Sequence, residues 1–192
     1  VKNYQGLYMD FSQYFNEFPS FTLTKCNLRK IEIEDAEHLY NYYNYKNVYQ
    51  YLDWNGPSSI DDAITIINRW NQGYTEGWII RFGIVGKKTN ELIGTIFLNG
   101  FDGRRAEIGY ELSEQYWREG IMSESIKKII DLGFNTLNRT RIQATVCNEN
   151  IASEQILIKN SFQYEGLLRK YEEHYVTKQV KDMKLYSIIK NT

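Results

Sequence analysis

The chain has 192 residues, the length of one domain with room for a short extension. It is 42% hydrophobic with only 2 Pro, and 23 basic side chains against 24 acidic ones leave a net charge of −1. This composition excludes disordered and collagen-like chains, and without a basic excess nucleic acid is not predicted as a ligand. No uncharged apolar run reaches the roughly 18 residues of a bilayer span, so no membrane partner is predicted either.

The cysteines and the first residues of the chain bear on the cellular compartment and on metal binding. Cys26 and Cys147 are too few for a disulfide framework and too far apart for a metal-ligand pair. The first residues lack the basic start and apolar stretch of a secretory signal. The sequence therefore predicts a cytoplasmic location and no metal.

The first 21 residues carry aromatic side chains at alternating spacings of four and three, which would place them on one face of a helix. These residues are Tyr4, Tyr8, Phe11, Phe15 and Phe18, and Pro19 follows them. We predict an N-terminal helical extension over residues 1–21 that packs on the main domain, residues 22–192, or on a second copy. The protein is accordingly expected to be a monomer or a homodimer.

The remaining elements follow from hydrophobic periodicity and turn signals. An extended segment over 21–33 precedes helices over about 34–43 and 57–73, which are joined by a Tyr- and Asn-rich loop, residues 44–55. Strands over 78–85, 92–98 and 106–112 form a predicted antiparallel meander. A helix over 120–136 and a strand over 141–147 complete a parallel crossover with strand 106–112. A helix over 150–160 and a terminal hairpin, 162–172 and 180–189, end the chain.

The most informative segment runs from strand 106–112 through a loop into the helix that begins near Gly120. Unpaired N–H groups and the positive end of the helix dipole make such a helix start suitable for phosphate. The glycine patterns of dinucleotide and ATP sites are absent from the sequence. A second polar segment follows strand 141–147, where Asn150 is expected to cap a helix.

The order of these elements resembles the GCN5-related N-acetyltransferase (GNAT) superfamily. The segments AEIGYEL…YWREGIMSES, RIQATVCNENIASEQILIKNSFQYEGLLRK and DMKLYSII resemble its ribosomal-protein-alanine acetyltransferase branch, the RimJ/RimL-like enzymes. The resemblance covers roughly residues 22–189. It implies an α/β (α+β) fold whose mixed, mostly antiparallel sheet is flanked by helices, with strands 106–112 and 141–147 splayed apart to admit acetyl-CoA.

The resemblance also implies the acetyl-CoA contacts, all within three short segments. Backbone groups of Tyr110, Glu111 and Leu112 would hold the pantetheine arm. The amides of Arg118, Glu119, Gly120, Ile121, Met122 and Ser123 would cradle the pyrophosphate, and Asn150 would contact CoA. Trp117 and Met122 depart from the family pattern of this loop, whereas the central glycine is kept.

Chemically, an amine attacks the thioester and the CoA thiolate leaves, so a base and a proton donor are expected. Many family members use a tyrosine as the donor, but Leu157 stands at that position here. The resemblance points instead to Ser153 as the donor, although its hydroxyl could equally serve the helix start by bonding to Asn150. Glu107 and Glu172 are the candidate bases, each with the alternative of a solvated strand residue.

Acceptor recognition is assigned, again by resemblance, to Tyr51, Trp54 and Asn55 in the loop over 44–55, although exposed aromatic residues there could equally form a lid. Because Asp53 is the only acid between residues 45 and 55, polycationic acceptors are mildly disfavoured. The sequence predicts an acetyl-CoA-dependent N-acetyltransferase acting on the α-amino group of a protein, such as a ribosomal protein. The alternatives are a small amine as acceptor (amino acid, polyamine or antibiotic) and a non-catalytic CoA-binding module.

Overall fold

The structure, a computed structural model, describes residues 8–190. In that range the strands are β1 (Phe21–Thr22), β2 (Cys26–Arg29), β3 (Ile79–Gly86), β4 (Leu92–Asp102), β5 (Arg105–Leu112), β6 (Arg141–Cys147), β7 (Gln163–Glu173) and β8 (Val180–Ile189). The α-helices are α1 (Ala36–Tyr42), α2 (Lys46–Tyr49), α3 (Ile60–Glu76), α4 (Ile121–Asp131) and α5 (Ile151–Lys159). The elements predicted from residue 34 onward are found with small shifts of their ends, and the loop over 44–55 contains the short helix α2.

The described strands form one sheet in the order β1-β2-β3-β4-β5-β6-β8-β7. All neighbouring strands are antiparallel except β5 and β6, which are parallel and are connected through α4. Because side chains alternate across a strand, the sheet buries a core on each face. One core packs against α4 and α5, and the other against α1 and α3. These faces are called the α4/α5 face and the α1/α3 face below.

Local sequence signals fix the ends of α3. The Ser59 hydroxyl accepts a hydrogen bond of 3.1 Å from the Asp62 N–H, which satisfies a helix-start donor. At the other end Gly77 adopts φ +83°, and a Cβ there would lie 2.0 Å from the Met9 carbonyl oxygen. Only glycine fits this C-terminal position, and Met9 donates its N–H to the Gly77 carbonyl.

The continuous N-terminal helix predicted from the aromatic spacing is wrong for the part of the segment that the structure describes. Phe11–Gln13 form a single 3₁₀ turn, and the following residues up to β1 are irregular. Phe11 stacks on Tyr74 of α3 at 5.0 Å, and Phe18 packs against Phe82 of β3 at 5.0 Å. Phe11, Phe15 and Phe18 therefore reach the domain core without a helix, whereas Tyr8 is exposed. Tyr4 lies outside the described residues.

Two smaller features complete the fold. The helix predicted over 120–136 changes character near its end, where α4 continues as a π-helical turn over Leu132–Thr136. No helix within residues 8–190 combines the length and the apolar character that a bilayer crossing requires.

Candidate active site

The central feature of the site is a gap between β5 and β6. These strands pair at Arg105 with Arg141, Ala106 with Ile142 and Glu107 with Gln143. Beyond these pairs, β5 stays bonded to β4 as far as Leu112, while β6 stays bonded to β8 as far as Cys147. The strands thus part after Glu107, and backbone polar groups of β5 border the opening. This confirms the splayed strands expected from the sequence.

The helix that starts beside this gap is open to an anion. Arg118 and Gly120 adopt left-handed conformations, with φ +63° and +85°, and no side chain caps the first turn of α4. A Cβ on Gly120 would meet no atom within 4 Å, so the approach to the backbone is clear. Lys25 donates a hydrogen bond of 2.6 Å to the Glu119 carbonyl, which adds a cation at the loop. These features fit a pyrophosphate group.

The side chains of this loop divide between solvent and core. Arg118 and Glu119 are exposed, whereas Ile121 and Met122 are buried, so only the backbone of the latter two can face a ligand. The Ser123 hydroxyl donates a hydrogen bond of 3.2 Å to Asn160. The departure from the family pattern at Met122 therefore falls on a core contact.

A polar group on α5 faces the same gap. Asn150 caps α5 by accepting a hydrogen bond of 3.1 Å from the Ser153 N–H. The Ser153 hydroxyl does not bond to Asn150 but lies 2.8 Å from the Tyr110 hydroxyl, across the gap on β5. Leu157, one turn further along, is fully buried.

Two of the predicted carboxylates lie on the opposite, α1/α3 face. Glu107 accepts a hydrogen bond of 3.1 Å from the Thr145 hydroxyl on β6, at the point where the strands part. Glu172 is half-buried on β7 opposite Lys181, whose ammonium group donates 3.1 Å to the Gln50 carbonyl. Strand register places Lys181 on the same face as Thr145. The two candidate bases therefore lie on the same side of the sheet.

A third carboxylate on this face, that of Glu111, is held in a buried hydrogen-bond network. The Glu111 side chain is buried and accepts hydrogen bonds from the Thr95 hydroxyl, from Arg81 at 3.2 Å and from the Tyr42 hydroxyl at 3.5 Å. The Arg81 guanidinium is stacked between the rings of Trp70 and Phe97, at 4.1 and 3.9 Å. The predicted contact of Glu111 with CoA through its backbone remains a prediction.

The loop over 44–55 crosses the α1/α3 face and is called the strap below. Asn47 donates a hydrogen bond of 2.9 Å to Glu114, in the loop after β5. At the other end, Tyr175 in the β7–β8 turn donates its N–H to the Asp53 carbonyl at 2.6 Å. The strap is therefore tied to both sides of the gap, and Lys181 adds a second tie to its far end through Gln50.

The three predicted acceptor-binding residues lie in the strap but differ in their surroundings. Trp54 is half-buried and packs on Tyr43 at a ring distance of 5.0 Å, so its ring also supports the α1/α3 core. Tyr51 is half-buried and Asn55 is exposed. Contacts of these side chains with an acceptor remain a prediction.

Beside the strap, the α1/α3 face contains a polar cavity of about 390 Å³. Its walls come from α1, the start of the strap, the start of β4 and the loop after β5. The lining residues are His38, Asn41, Tyr42, Asn44, Tyr45, Glu91, Leu92, Ile93, Ser113, Gln115 and Tyr116. Tyr42 links the cavity to β5 through Glu111.

Comparison with known proteins decides the family. Residues 25–163 match the family model described as an acetyltransferase (GNAT) domain. The chain is 39% identical over 168 residues to the uncharacterized N-acetyltransferase p20 of Bacillus licheniformis, covering 86% of this chain and 93% of that protein. The chain belongs to the GNAT acetyltransferase family. It is an acyltransferase of the N-acetyltransferase type.

Two more distant GNAT proteins carry more specific names. The putative ribosomal N-acetyltransferase YdaF of Bacillus subtilis is 32% identical over 171 residues, covering 85% of this chain and 90% of its own. RimL, a ribosomal L7/L12 alpha-N-protein acetyltransferase solved with coenzyme A, shares the fold with a TM-score of 0.77 at 22% identity. That match covers 90% of this chain and 97% of RimL. GNAT proteins use acetyl-CoA and an amine acceptor.

Sequence reasoning missed several polar groups of the site. Lys25 contacts the loop before α4, and Arg81 contacts Glu111 on β5; both are far in sequence from these partners, and no local pattern indicates the contacts. The side chain of Tyr110 was also missed, although strand alternation alone places it on the face opposite Glu111.

His174 and Cys147, two further side chains able to do chemistry, are held in hydrogen bonds of the fold. His174 accepts hydrogen bonds from the Val176 and Thr177 N–H groups in the hairpin turn, at 3.2 and 3.1 Å. Burial raises the pKa of the Cys147 thiol, which donates to Glu149 at 2.7 Å. Among residues 8–190, no three His, Cys, Asp or Glu side chains are grouped as a metal site requires.

Proposed function

We propose that the protein transfers an acetyl group from acetyl-CoA to the α-amino group of a protein or peptide. The observation that carries this proposal is the cavity on the α1/α3 face, whose lining includes the amide side chains of Asn41, Asn44 and Gln115. Amides donate and accept hydrogen bonds and therefore match a peptide backbone. A polyamine would favour several carboxylates, whereas the cavity lining includes only Glu91. The name of YdaF supports the same acceptor class.

The spacing of two residues on β5 indicates how long a peptide acceptor the site would hold. Glu111, which Tyr42 links to the cavity, lies four residues after Glu107, or about 13 Å along a strand. An extended peptide of about four residues would span this distance and bring its N-terminus to Glu107. A peptide acceptor should therefore bind better as it lengthens to about four residues.

In this proposal acetyl-CoA supplies the thioester, and the residues of the chain position both reactants. The uncapped start of α4 and Lys25 hold the pyrophosphate, and Asn150 contacts CoA. Glu107 removes the proton of the attacking amine, because it lies where the strands part. Glu172, on β7, contributes to this proton removal directly or through water. An α-amino group has a pKa of about 7.7–8.0 and is about a tenth neutral at pH 7, so a modest base suffices. Ser153, across the gap from β5, would stand near the departing sulfur.

The test measures thiol release from acetyl-CoA with paired peptides of two to six residues, each with a free and a blocked N-terminus. We expect release only with free N-termini and a KM that falls up to about four residues. Release with small amines but not with peptides would favour the small-molecule alternative. If CoA binds without turnover on any amine, the proposal is wrong.

The base assignment is tested with the substitutions Glu107→Gln and Glu172→Gln. Loss of a general base typically costs about 10²–10⁴-fold in rate. We expect such a loss in kcat for Glu107→Gln, and a smaller loss for Glu172→Gln. Glu173→Gln, an exposed neighbour on β7, is the matched control and should leave kcat unchanged. Full activity of both site variants would exclude them as bases.

A further inference from the structure

Two hydroxyl groups meet across the gap between β5 and β6. The Tyr110 hydroxyl lies 2.8 Å from the Ser153 hydroxyl and 3.5 Å from the Ser153 carbonyl oxygen. Tyr110 is three residues beyond Glu107, the last residue of β5 that pairs with β6. The phenol therefore reaches from one wall of the opening to the helix start on the other wall.

We propose that Tyr110 is the catalytic residue that donates a proton to the departing CoA sulfur, and that Ser153 is a positioning residue that orients its hydroxyl. This inference rests on the proposed acetyl transfer. The usual tyrosine position is occupied by Leu157, which is fully buried and has no proton to donate. Tyr110 brings a phenol to the same helix from the neighbouring strand.

The phenol of Tyr110 carries its proton before the reaction begins. Burial raises its pKa well above the ordinary value of about 10, while the bond to Ser153 opposes the shift. The phenol therefore keeps its proton through neutral pH and can donate a hydrogen bond to sulfur as negative charge develops. Its aromatic ring adjoins the core packed against α4 and α5, so the hydroxyl is held in place.

The step balances in atoms and electrons. The amine nitrogen forms a bond to the acetyl carbon, and the carbon–sulfur bond breaks with both electrons going to sulfur. Sulfur takes the Tyr110 proton, and the resulting phenolate regains a proton from solvent. The proton lost by the amine passes to the carboxylate base and then to solvent, so the products are the acetylated amine and free CoA.

The test compares the full-length wild type with Tyr110→Phe and Ser153→Ala, using whichever amine supports turnover. Tyr110→Phe keeps the ring and removes only the hydroxyl. We expect it to lower kcat with acetyl-CoA by at least about 100-fold, with the KM for acetyl-CoA within about threefold of wild type. Ser153→Ala should lower kcat about 10-fold. Tyr164→Phe, which removes the hydroxyl of an exposed tyrosine on β7, is the matched control and should not change kcat.

A second donor separates proton donation from a structural role. An acetyl thioester of a nitrothiophenol has a leaving group that needs no proton, so wild type and Tyr110→Phe should transfer from it at similar rates. An equal loss with both thioesters, or full kcat of Tyr110→Phe with acetyl-CoA, would overturn the inference. Should Tyr110→Phe fail to fold, Ser153→Ala must show the same dependence on the leaving group. A wild type inactive with every amine would overturn the proposed function itself, and this inference with it.

Discussion

Arg81 and Glu111 form an ion pair with an Nη1–Oε1 distance of 3.2 Å, and their side chains are only 10% and 5% exposed. The pair joins β3 to β5 across β4 and is linked through Tyr42 to the cavity proposed to receive the acceptor. Desolvation makes such pairs costly unless their hydrogen bonds are satisfied. Here Thr95 and Tyr42 also bond to the carboxylate, whereas the Nε of Arg81 is buried without a partner. The site is thus supported by a buried polar network.

Removing one member of this pair should destabilise the fold strongly. We expect Glu111→Gln to lower the free energy of unfolding by roughly 3 kcal/mol, because it leaves the Arg81 charge buried without compensation. The measurement is urea denaturation. The double variant Arg81→Met/Glu111→Leu should recover most of the loss, and a double variant as unstable as Glu111→Gln would contradict this explanation.

The helix cap at Asn150 should affect both stability and catalysis. Asn150→Ala removes the acceptor of the Ser153 N–H and should lower the free energy of unfolding by about 1 kcal/mol. Because Ser153 then loses its fixed position beside Tyr110, kcat should also fall. Ser59→Ala removes a comparable cap from α3, far from the gap, and should lower stability alone. If the two variants had equal kcat values, the Asn150 cap would have no role in catalysis.

The ion pair of Glu165 and Arg141, outside the site, should make the stability of the fold decrease at acid pH. Hydrogen bonds from Arg141 and Ser187 lower the pKa of Glu165 to about 2, from an ordinary value of about 4.3. Since the folded pKa lies below the unfolded one, Glu165 stabilises the fold above about pH 4.3, and this contribution is lost as the pH falls toward 2. The Tm difference between wild type and Glu165→Gln should therefore be largest at neutral pH and disappear near pH 2. A pH-independent difference would be inconsistent with this linkage.

The strap should influence acceptor binding more than chemistry. Asn47→Ala removes the hydrogen bond to Glu114, a net contribution of about 0.5–1.5 kcal/mol. We expect the acceptor KM to rise about two- to tenfold while kcat remains within about twofold, measured at saturating acetyl-CoA. Asn68→Ala, an exposed position on α3, is the control. A drop in kcat alone would assign the strap a different role.

Features that depend only on residues close together in sequence could be predicted. Asn150 caps α5 as expected, because a cap needs only the next three residues. The parallel β5–α4–β6 unit is likewise confirmed, since strand alternation and helix periodicity mark each element. The aromatic spacing near Phe11 was misleading, because a chain lying across an apolar surface buries its rings at similar intervals without forming a helix.

Contacts between distant segments could not be predicted in this way. Tyr110 and Ser153 are 43 positions apart, and Arg81 and Glu111 are 30 apart. Alternation predicts which face a strand residue occupies but not the partner it meets there. The resemblance to the family located the backbone of residues 110–112, whereas the role proposed for the Tyr110 side chain depends on the folded geometry.

The position of the acetyl group in the product tests the proposed function most directly. A peptide of about six residues with a free N-terminus and an internal lysine would be incubated with acetyl-CoA and the wild-type protein, and the product fragmented in a mass spectrometer. If the protein is an α-amino acetyltransferase, the product carries one acetyl group on the α-amino nitrogen and none on the lysine. Acetylation of the lysine alone, or an unmodified peptide beside an acetylated small amine, would contradict the proposed function.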